Sequence, residues 1–460
     1  MYEIDFNVPS HVYFVGIGGI GMSGLAEFLH HAGFTVSGSD RKASALTRAL
    51  EAKGITVRYG ESADHVTSDI DCAVLTSAVK DTNLEFQAIR ELGIPWMTRA
   101  QLLGQWMKNY EFSVAVSGTH GKTTTTSMIS EILLGAGADP TLSIGGMLKS
   151  IGGNVRVGSG PYFVTEADEY TNSFLSLSPR IGIILNIDAD HPDFFKDLED
   201  TRRSFRKFAE RISPKGCLII NADIPNHSEI TEGLPCRIVT FSLKDDSADY
   251  FPSEITYGEL GQASFVLHGP AGREERLSLK VPGLHNVSNA LAAVALADCL
   301  GFPRDVTFQA LAAFSGTDRR FEYKGSLGGI TIIDDYAHHP TEITATLSAA
   351  QKYPHKTLWC VFQPHTYSRT KVLMKDFAKA LTLADRVVLA DIFPARETDD
   401  LGISSEDLCK EIRSLGSECH YFPTFDEIEN FLLKNCIKGD LLITMGAGDV
   451  LKIGETLLGA

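Results

Sequence analysis

Apolar and polar positions in this chain switch repeatedly between two periods. Short apolar-rich runs at His11–Val15, Thr35–Gly38, Cys72–Ser77 and Ile94–Thr98 have the length and residue types of strands. After the first of them, Leu25, Phe28, Leu29 and Ala32 recur at i, i+3, i+4 and i+7, which predicts a helix stopped by Gly33. Polar Lys108–Glu111 interrupts the pattern, and the alternation then resumes. Strands are expected at Phe112–Ser117, Tyr162–Thr165, Ile181–Asn186 and Cys217–Asn221, with one helix from about Thr123. A second helix should carry Leu198, Phe205, Phe208, Ala209 and Ile212 on one face. From Cys236 to Val281 short β-like runs read as a meander, and an Ala-rich helix follows from about Asn286 to Leu300. After a break at Ser315–Asp318, a third alternating stretch predicts strands at Ile330–Asp334, Leu358–Phe362, Arg386–Ala390, Cys419–Phe422 and Leu441–Met445. Strands that alternate with helices specify parallel α/β sheets. The expected division is 1–108, 109–316 and 317–460.

Composition agrees with several packed cores: 460 residues, 43% apolar and 22% charged, are enough for about three domains. The formal charge of −16 argues against nucleic acid as a partner. Eight cysteines without CxxC spacing read as buried thiols of a reducing compartment rather than a zinc or redox motif. Met1–Ser10 carries Glu3 and Asp5 and has no apolar leader core, and no apolar run reaches membrane-spanning length, so a cytoplasmic location is expected.

Two glycine-rich turns carry candidate chemistry. Gly16-Ile17-Gly18-Gly19-Ile20-Gly21 matches GxGxxG between a strand and a helix, where glycines let the backbone approach a pyrophosphate at the positive helix end. Asp40, closing the second strand, stands where a ribose-binding acid is expected. This loop alone does not separate NAD from a UDP-sugar. Gly118-Thr119-His120-Gly121-Lys122-Thr123-Thr124 is a phosphate loop: backbone N–H groups wrap the phosphates, Lys122 meets the terminal ones, and Thr123 offers a hydroxyl to Mg²⁺. It departs from GxxxxGK[ST] in having Val116 at the first glycine position.

Polar clusters follow other strands. Glu166, Asp168 and Glu169 end one strand, and Glu166 is a candidate Mg²⁺ ligand. Asn186 to His191 end the next, with His191 a candidate for a second metal ion or a phosphoryl oxygen. His285, Asn286 and Asn289 precede or open the Ala-rich helix; by residue type they favour helix capping over contacts to a base or ribose. Asp334–Pro340 and Gln363–Arg369 both follow strands, with Arg369 able to clamp a carboxylate bidentately. Arg319 and Arg320, at the last boundary, are placed to reach phosphates when domains close.

Together these runs resemble the Mur ligase family, ATP-dependent amide-forming enzymes of peptidoglycan precursor synthesis. The resemblance spans nearly the whole chain and rests on Gly118–Thr124, Glu166–Glu169, Asn186–His191, His285-Asn286 and Arg319-Arg320-Phe321, with Gly16–Ser23, Asp334–Pro340 and Gly446–Asp449 more selective. It implies three domains: a Rossmann-like N-terminal domain for a UDP-substrate, a central P-loop ATPase α/β domain, and a C-terminal Rossmann-like α/β domain that brings the amine. It implies ATP and Mg²⁺, with UDP-N-acetylmuramate and L-alanine as substrates, and a monomer or weak homo-oligomer.

By this resemblance Gly16, Gly18, Gly19, Gly21, Met22, Ser23, Asp40 and Ser77 serve the UDP-substrate. Gly118 to Thr124, His285, Asn286, Asn289 and Arg320 serve ATP, which reverses the capping preference. Thr123, Glu166 and His191 hold metal, and Tyr336, His338 and Arg369 surround the amino acid. The chemical work falls on Lys122, Glu166, His191, His338 and Arg369. Thr366 stands where relatives often have Arg after the Gln-Pro-His run. No carbamylated lysine is expected, because the helix after His191 offers only Arg202, Arg203, Arg206 and Lys207. The alternatives are a recycling ligase that attaches a peptide to the same sugar, an NAD-dependent dehydrogenase built on the first loop, and a regulatory nucleotide switch.

Overall fold

The computed structural model describes residues 2–76, 78–395 and 397–459. The first stretch contains β1 (His11–Val15), α1 (Ile20–His31), β2 (Thr35–Asp40), α2 (Ala45–Ala52), β3 (Thr56–Tyr59), β4 (Cys72–Leu75), α3 (Leu84–Glu91), β5 (Trp96–Thr98) and α4 (Arg99–Met107). Its strands form a parallel sheet in the order β3-β2-β1-β4-β5. The order reverses beside β1, so the β1–α1 turn opens at the sheet's carboxyl end.

The middle stretch runs β6 (Phe112–Ser117), α5 (Lys122–Gly135), β7 (Thr141–Leu148), β8 (Gly153–Arg156), β9 (Tyr162–Ala167), β10 (Ile181–Ile184), α6 (Leu198–Ala209), β11 (Cys217–Asn221), α7 (His227–Thr231) and β12 (Arg237–Phe241). These strands make a seven-stranded sheet, β12-β11-β10-β6-β9-β7-β8, parallel except for β8. Next come β13 (Phe251–Tyr257), β14 (Gln262–Gly269) and β15 (Arg273–Pro282), an antiparallel sheet, and then α8 (Leu284–Cys299) and α9 (Arg304–Ala313). The meander therefore begins at Phe251. Arg237–Phe241, expected to belong to it, pairs parallel with β11 instead.

The last stretch has β16 (Glu322–Leu327), β17 (Ile330–Asp335), α10 (Pro340–Ala350), β18 (Leu358–Phe362), α11 (Tyr367–Val372), α12 (Met374–Leu381), β19 (Arg386–Leu389), α13 (Ser405–Ser414), β20 (Glu418–Tyr421), α14 (Phe425–Asn435), β21 (Leu441–Met445) and α15 (Leu451–Leu458). The sheet order is β16-β17-β21-β18-β19-β20, with only β16 antiparallel. No helix among the described residues is long and apolar enough to cross a membrane.

The first two sheets share one continuous apolar core. Phe28 of α1 stacks on Trp106 at 5.6 Å and meets Phe163 of β9 edge-on at 6.1 Å, while Tyr110 stacks on Phe163 at 5.2 Å. Gly104 permits this approach, since a Cβ there would lie 2.1 Å from the Ser176 carbonyl oxygen. On α6, Phe205, Phe208 and Ala209 are buried as the helical period requires, and Ile212 is buried just beyond the helix. Leu198, in the first turn, is exposed rather than on that face. Six of the eight cysteines are buried and Cys299 and Cys436 are half-buried, all as free thiols.

Candidate active site

The buried strand β6 delivers the phosphate loop. Gly118 (φ +141°) and Gly121 (φ +82°) take backbone conformations that side chains disfavour. A Cβ at Gly118 would lie 2.9 Å from Leu185 Cβ, and one at Gly121 would lie 2.8 Å from Asn289 Oδ1. The loop is clamped from β10's end. His120 N–H donates to Asn186 Oδ1 at 2.7 Å, Asn186 Nδ2 donates to the His120 carbonyl at 3.0 Å, and Asp188 N–H donates to Thr119 Oγ1 at 2.9 Å. Val116, at the expected glycine position, is a buried residue inside β6 registered with Ile183 and Glu166, so no turn is required there.

The ammonium of Lys122 donates to the Gly118 carbonyl at 2.6 Å and to Glu169 Oε2 at 2.7 Å. Burial opposes its charge, but Glu169 and Asp168 outweigh burial and raise its pKa. Burial likewise opposes the charge of Glu169, and Lys122 with His191 outweighs it, holding that carboxyl below its ordinary value. Glu166 differs: burial raises it, and the Gly145 N–H (2.6 Å to Oε1) and the Thr123 hydroxyl offset this only in part.

Lys122, Thr123, Glu166, Asp168, Glu169, Asp190 and His191 line one cavity of about 450 Å³. Its other walls are Ile20, Gly21 and Arg99 from the first stretch and Arg320, Tyr336, His338 and Glu342 from the last. Three sheets thus converge on one cleft. Oxygen donors at Thr123 and Glu166 suit a hard divalent cation. Near His191, Glu169 Oε1 is buried without a hydrogen-bond partner, 3.7 Å from His191 Nε2. That oxygen fits a second cation or a proton donor.

Arg369 clamps a carboxylate, as its chemistry suggests, but the carboxylate is Asp190 of this chain: Nε to Oδ1 is 2.8 Å and Nη2 to Oδ2 is 3.4 Å. At 5% exposure it stands behind Asp190 rather than on the cavity wall. Tyr336 and His338 do face the cleft. The guanidiniums of Arg319 (4.8 Å) and Arg320 (5.1 Å) both lie over the Tyr336 ring. Burial and the charge of Arg369 push His338 down to about 4 against the opposing Glu342, leaving a neutral imidazole at pH 7. Arg319, expected near phosphates, instead ties its own sheet together: it bonds Asp334 at 3.1 Å and the Gly446 carbonyl at 2.7 Å. Thr366 (φ +67°) opens α11, its N–H donating to the Phe393 carbonyl at 2.9 Å.

A second cavity, about 240 Å³, adjoins the loop and brings His285, Asn286 and Asn289 together with His120, Thr124, Asn186, Arg320 and Phe321. Helix α8 is capped by Gly283 without a side-chain bond, so the capping reading fails: the helix starts early enough to put His285 and Asn286 inside its first turn. Asn286 donates to the Pro282 carbonyl at 2.7 Å and accepts from Asn289 Nδ2 at 3.1 Å. Burial, reinforced by Arg320, pushes His285 down to about 4. Asp335, buried here, is pushed up to about 6 by burial against Arg320 and two backbone N–H donors.

The third cavity, about 430 Å³, lies at the carboxyl end of the first sheet and is lined by Gly16, Gly19, Ser39, Asp40, Arg41, Thr76, Lys80 and Glu85 among others. Asp40 Oδ2 accepts the Gly18 N–H at 2.8 Å, so this acid braces the glycine loop. Gly21 faces Arg99, whose Nη1 would lie 3.0 Å from a Cβ at Gly21. Met22 and Ser23 are buried in α1 and do not reach the cavity wall. Ser77 lies outside the described residues.

Sequence reading missed Arg99, Glu342 and the pairing role of Asp190, and assigned no task to Glu169. The carboxylates offered one signal, acidic residues directly after a strand or in the first turn of a helix; Arg99 offered none. Among the described residues His120, Asp188 and His339 also cluster closely enough to suggest a metal. The His120 ring lies at ion-pair distance from Asp188 and Glu342, and the His339 ring nitrogens are engaged by the Ala189 carbonyl and the Thr341 N–H. The α6 basic residues are surface partners: Arg202 holds the Pro225 carbonyl and Glu229, and Arg206 pairs with Glu210.

Comparison with known proteins bears on the whole chain. The profile described as "Mur ligase family, catalytic domain" matches residues 11–111, "Mur ligase middle domain" matches 116–297, and "Mur ligase, glutamate ligase domain" matches 319–448. A protein of Agathobacter rectalis named UDP-N-acetylmuramate–L-alanine ligase is 58% identical over 458 residues, covering 100% of both chains. One of the same name from Lachnospira eligens is 56% identical with the same coverage. The solved UDP-N-acetylmuramate-alanine ligase of Thermotoga maritima is 31% identical with a TM-score of 0.81, and a murein peptide ligase of Psychrobacter arcticus is 27% identical with a TM-score of 0.73, each covering 98% of both chains. The three-domain α/β architecture, the matched profiles and the full-length relatives agree: this chain belongs to the Mur ligase family.

Proposed function

We propose that this protein is a UDP-N-acetylmuramate–L-alanine ligase, which spends ATP to join L-alanine to the sugar's carboxylate in peptidoglycan precursor synthesis. Full-length identity of 58% to a protein of that name carries the reading. The cleft shared by three sheets supports it, because the reaction must bring a nucleotide, a sugar carboxylate and an amine to one point. Residues 1–108 would take the UDP-substrate, 109–316 the ATP, and 317–460 the amine.

In the first step the muramate carboxylate attacks the γ-phosphorus, giving an acyl phosphate and ADP. In the second the free amine of alanine attacks the acyl carbon, phosphate leaves, and the amine's extra proton is released. Two anions must meet in the first step, so positive charge is the main requirement. Lys122 supplies a permanent one on the phosphate loop, and Arg320 a second from the opposite wall. Gly118 to Thr124 would cradle the phosphates, while His285, Asn286 and Asn289 would take the base and ribose. Thr123 and Glu166 would hold Mg²⁺, with His191 beside a second ion; bound Mg²⁺ supplies further neutralisation of phosphate charge. Neutral His338 and Tyr336 would bound the space for the amine and its small side chain. Arg369 would act through Asp190, fixing the acid on the cavity wall. Gly16, Gly18, Gly19 and Asp40 would shape the pyrophosphate site, where the main-chain approach of α1's first turn, and not the side chains of Met22 and Ser23, would serve.

The test is phosphate release with ATP, Mg²⁺ and UDP-N-acetylmuramate, comparing L-alanine with the tripeptide used by recycling ligases. Alanine-dependent release and a UDP-N-acetylmuramoyl-alanine product are expected. Release driven only by the tripeptide would instead make the chain the peptide-attaching ligase of the alternative reading.

A further inference from the structure

The carboxylate of Glu342 stands where the two nucleotide-side cavities meet and lines both. It occupies the first turn of α10, behind Pro340, so the helix dipole favours its charge. Oε1 lies 3.3 Å from His120 Nδ1 on the phosphate loop and 3.9 Å from Arg320 Nη1. Oε2 accepts the His338 N–H at 3.1 Å and lies 3.3 Å from His338 Nδ1. One side chain, 12% exposed, therefore touches a residue of the central domain's phosphate loop and two residues of the last domain's cleft wall.

We propose that Glu342 is a positioning residue, a latch by which the phosphate loop of the central domain sets Arg320 and His338 on the opposing C-terminal wall. The proposal rests on the ligase reading above. His120 can serve as its partner because it is held between carboxylates from both sides, Asp188 Oδ2 at 3.0 Å and Glu342 Oε1 at 3.3 Å, with the His339 ring tilted against it at 4.7 Å. The charged and titratable groups facing Glu342 are His120, His338 and Arg320, with His285 and Asp335 further off. His120 and Arg320 are the cations of this set, and with the His338 N–H bond they keep the carboxylate ionised, well below its ordinary pKa despite burial. His120 is correspondingly pushed up to about 9, its two carboxylates outweighing its burial. Breaking one side leaves a buried charge on the other, which is why the contact couples the domains.

The test is Glu342→Gln in the full chain, with His120→Gln and the double variant. Thermal melting comes first; were Glu342→Gln to unfold, His120→Gln carries the same test from the other side. Each single variant should lose about tenfold or more in kcat/KM for ATP, with weaker binding of a non-hydrolysable ATP analogue. Affinity for the UDP-sugar, read by direct titration, should not change, since its cavity is elsewhere. The double variant should be no worse than the poorer single one, and Glu342→Asp should recover part of the loss. Independent, multiplying losses in the double variant, or an equal loss of UDP-sugar affinity, would overturn the latch. Wild-type protein that binds the analogue but forms no amide would refute the ligase reading while leaving the latch testable by analogue affinity alone.

Discussion

Lys122 and Glu169 meet at 2.7 Å across the mouth of the phosphate loop, the lysine from the first turn of α5 and the carboxylate from two residues past β9. The carboxylate fixes the ammonium's position and keeps it charged at the carboxyl ends of β6 and β9.

Replacing Lys122 by Ala should therefore abolish most turnover, on the order of a thousandfold or more, because the transferred phosphoryl group loses its fixed cation. The UDP-sugar should bind as before, since the cavity proposed for it belongs to the first sheet. Steady-state phosphate release together with calorimetric titration of the sugar nucleotide checks both halves. Near-normal turnover would refute the phosphate role of this loop.

What the sequence shows of this site, and what it hides, follows from distance along the chain. The sheets and both glycine turns are legible because each depends on neighbours a few residues away. Strand β12 escapes a local reading because a short apolar run is the same whether it pairs parallel with β11 or joins a meander. The Lys122–Glu169 pair spans 47 positions and the Arg369–Asp190 pair 179, and nothing local couples such residues. Arg369 illustrates the consequence. A guanidinium suits a carboxylate, but the residue type does not say whether that carboxylate is a substrate's or the protein's own, and here Arg369 holds Asp190. Asp40 behaves likewise: its carboxylate accepts a bond from the Gly18 N–H of the loop it was expected to assist.

Gly121→Ala tests whether the loop's shape is required independently of Lys122. The φ of +82° costs a non-glycine residue roughly 1–2 kcal/mol. The new Cβ would also fall 2.8 Å from Asn289 Oδ1, which must shift. A lower melting temperature and a large rise in KM for ATP are expected, with sugar-nucleotide affinity preserved. Wild-type KM values would mean that the loop does not contact nucleotide.

Glu166→Gln addresses the proposed Mg²⁺ ligand. Burial holds this carboxyl above its ordinary pKa, so its proton competes with a cation at the acid end of the range. In the wild type the Mg²⁺ concentration giving half-maximal rate should rise as pH falls toward 5. The Gln variant, nearly isosteric, should need at least about tenfold more Mg²⁺ at neutral pH and should lose that pH dependence. An unchanged Mg²⁺ requirement would remove Glu166 from the metal site.

The Asp190–Arg369 pair joins the central and C-terminal domains, and its removal should be felt as domain loosening. Both side chains are buried, and Asp190 is held below the ordinary value of 3.8, burial being outweighed by Arg369 and His191. A carboxyl depressed in the folded state contributes fully above its unfolded value, and the contribution disappears as pH falls through the lower folded value. Arg369→Met leaves Asp190 buried without its partner, a loss of about 3–5 kcal/mol where the site stays closed. Opening of the domain interface, which admits water to Asp190, is the route by which the protein would relieve it. Small-angle scattering should show a larger radius of gyration for the variant at pH 7, and its melting temperature should fall. Below pH 4 the gap between the two proteins should begin to narrow, and it should close only as pH falls through the depressed folded value of Asp190, where the wild type loses the same interaction by protonation. A difference in melting temperature that stayed constant from pH 7 down to 3 would show that Arg369 stabilises by packing alone.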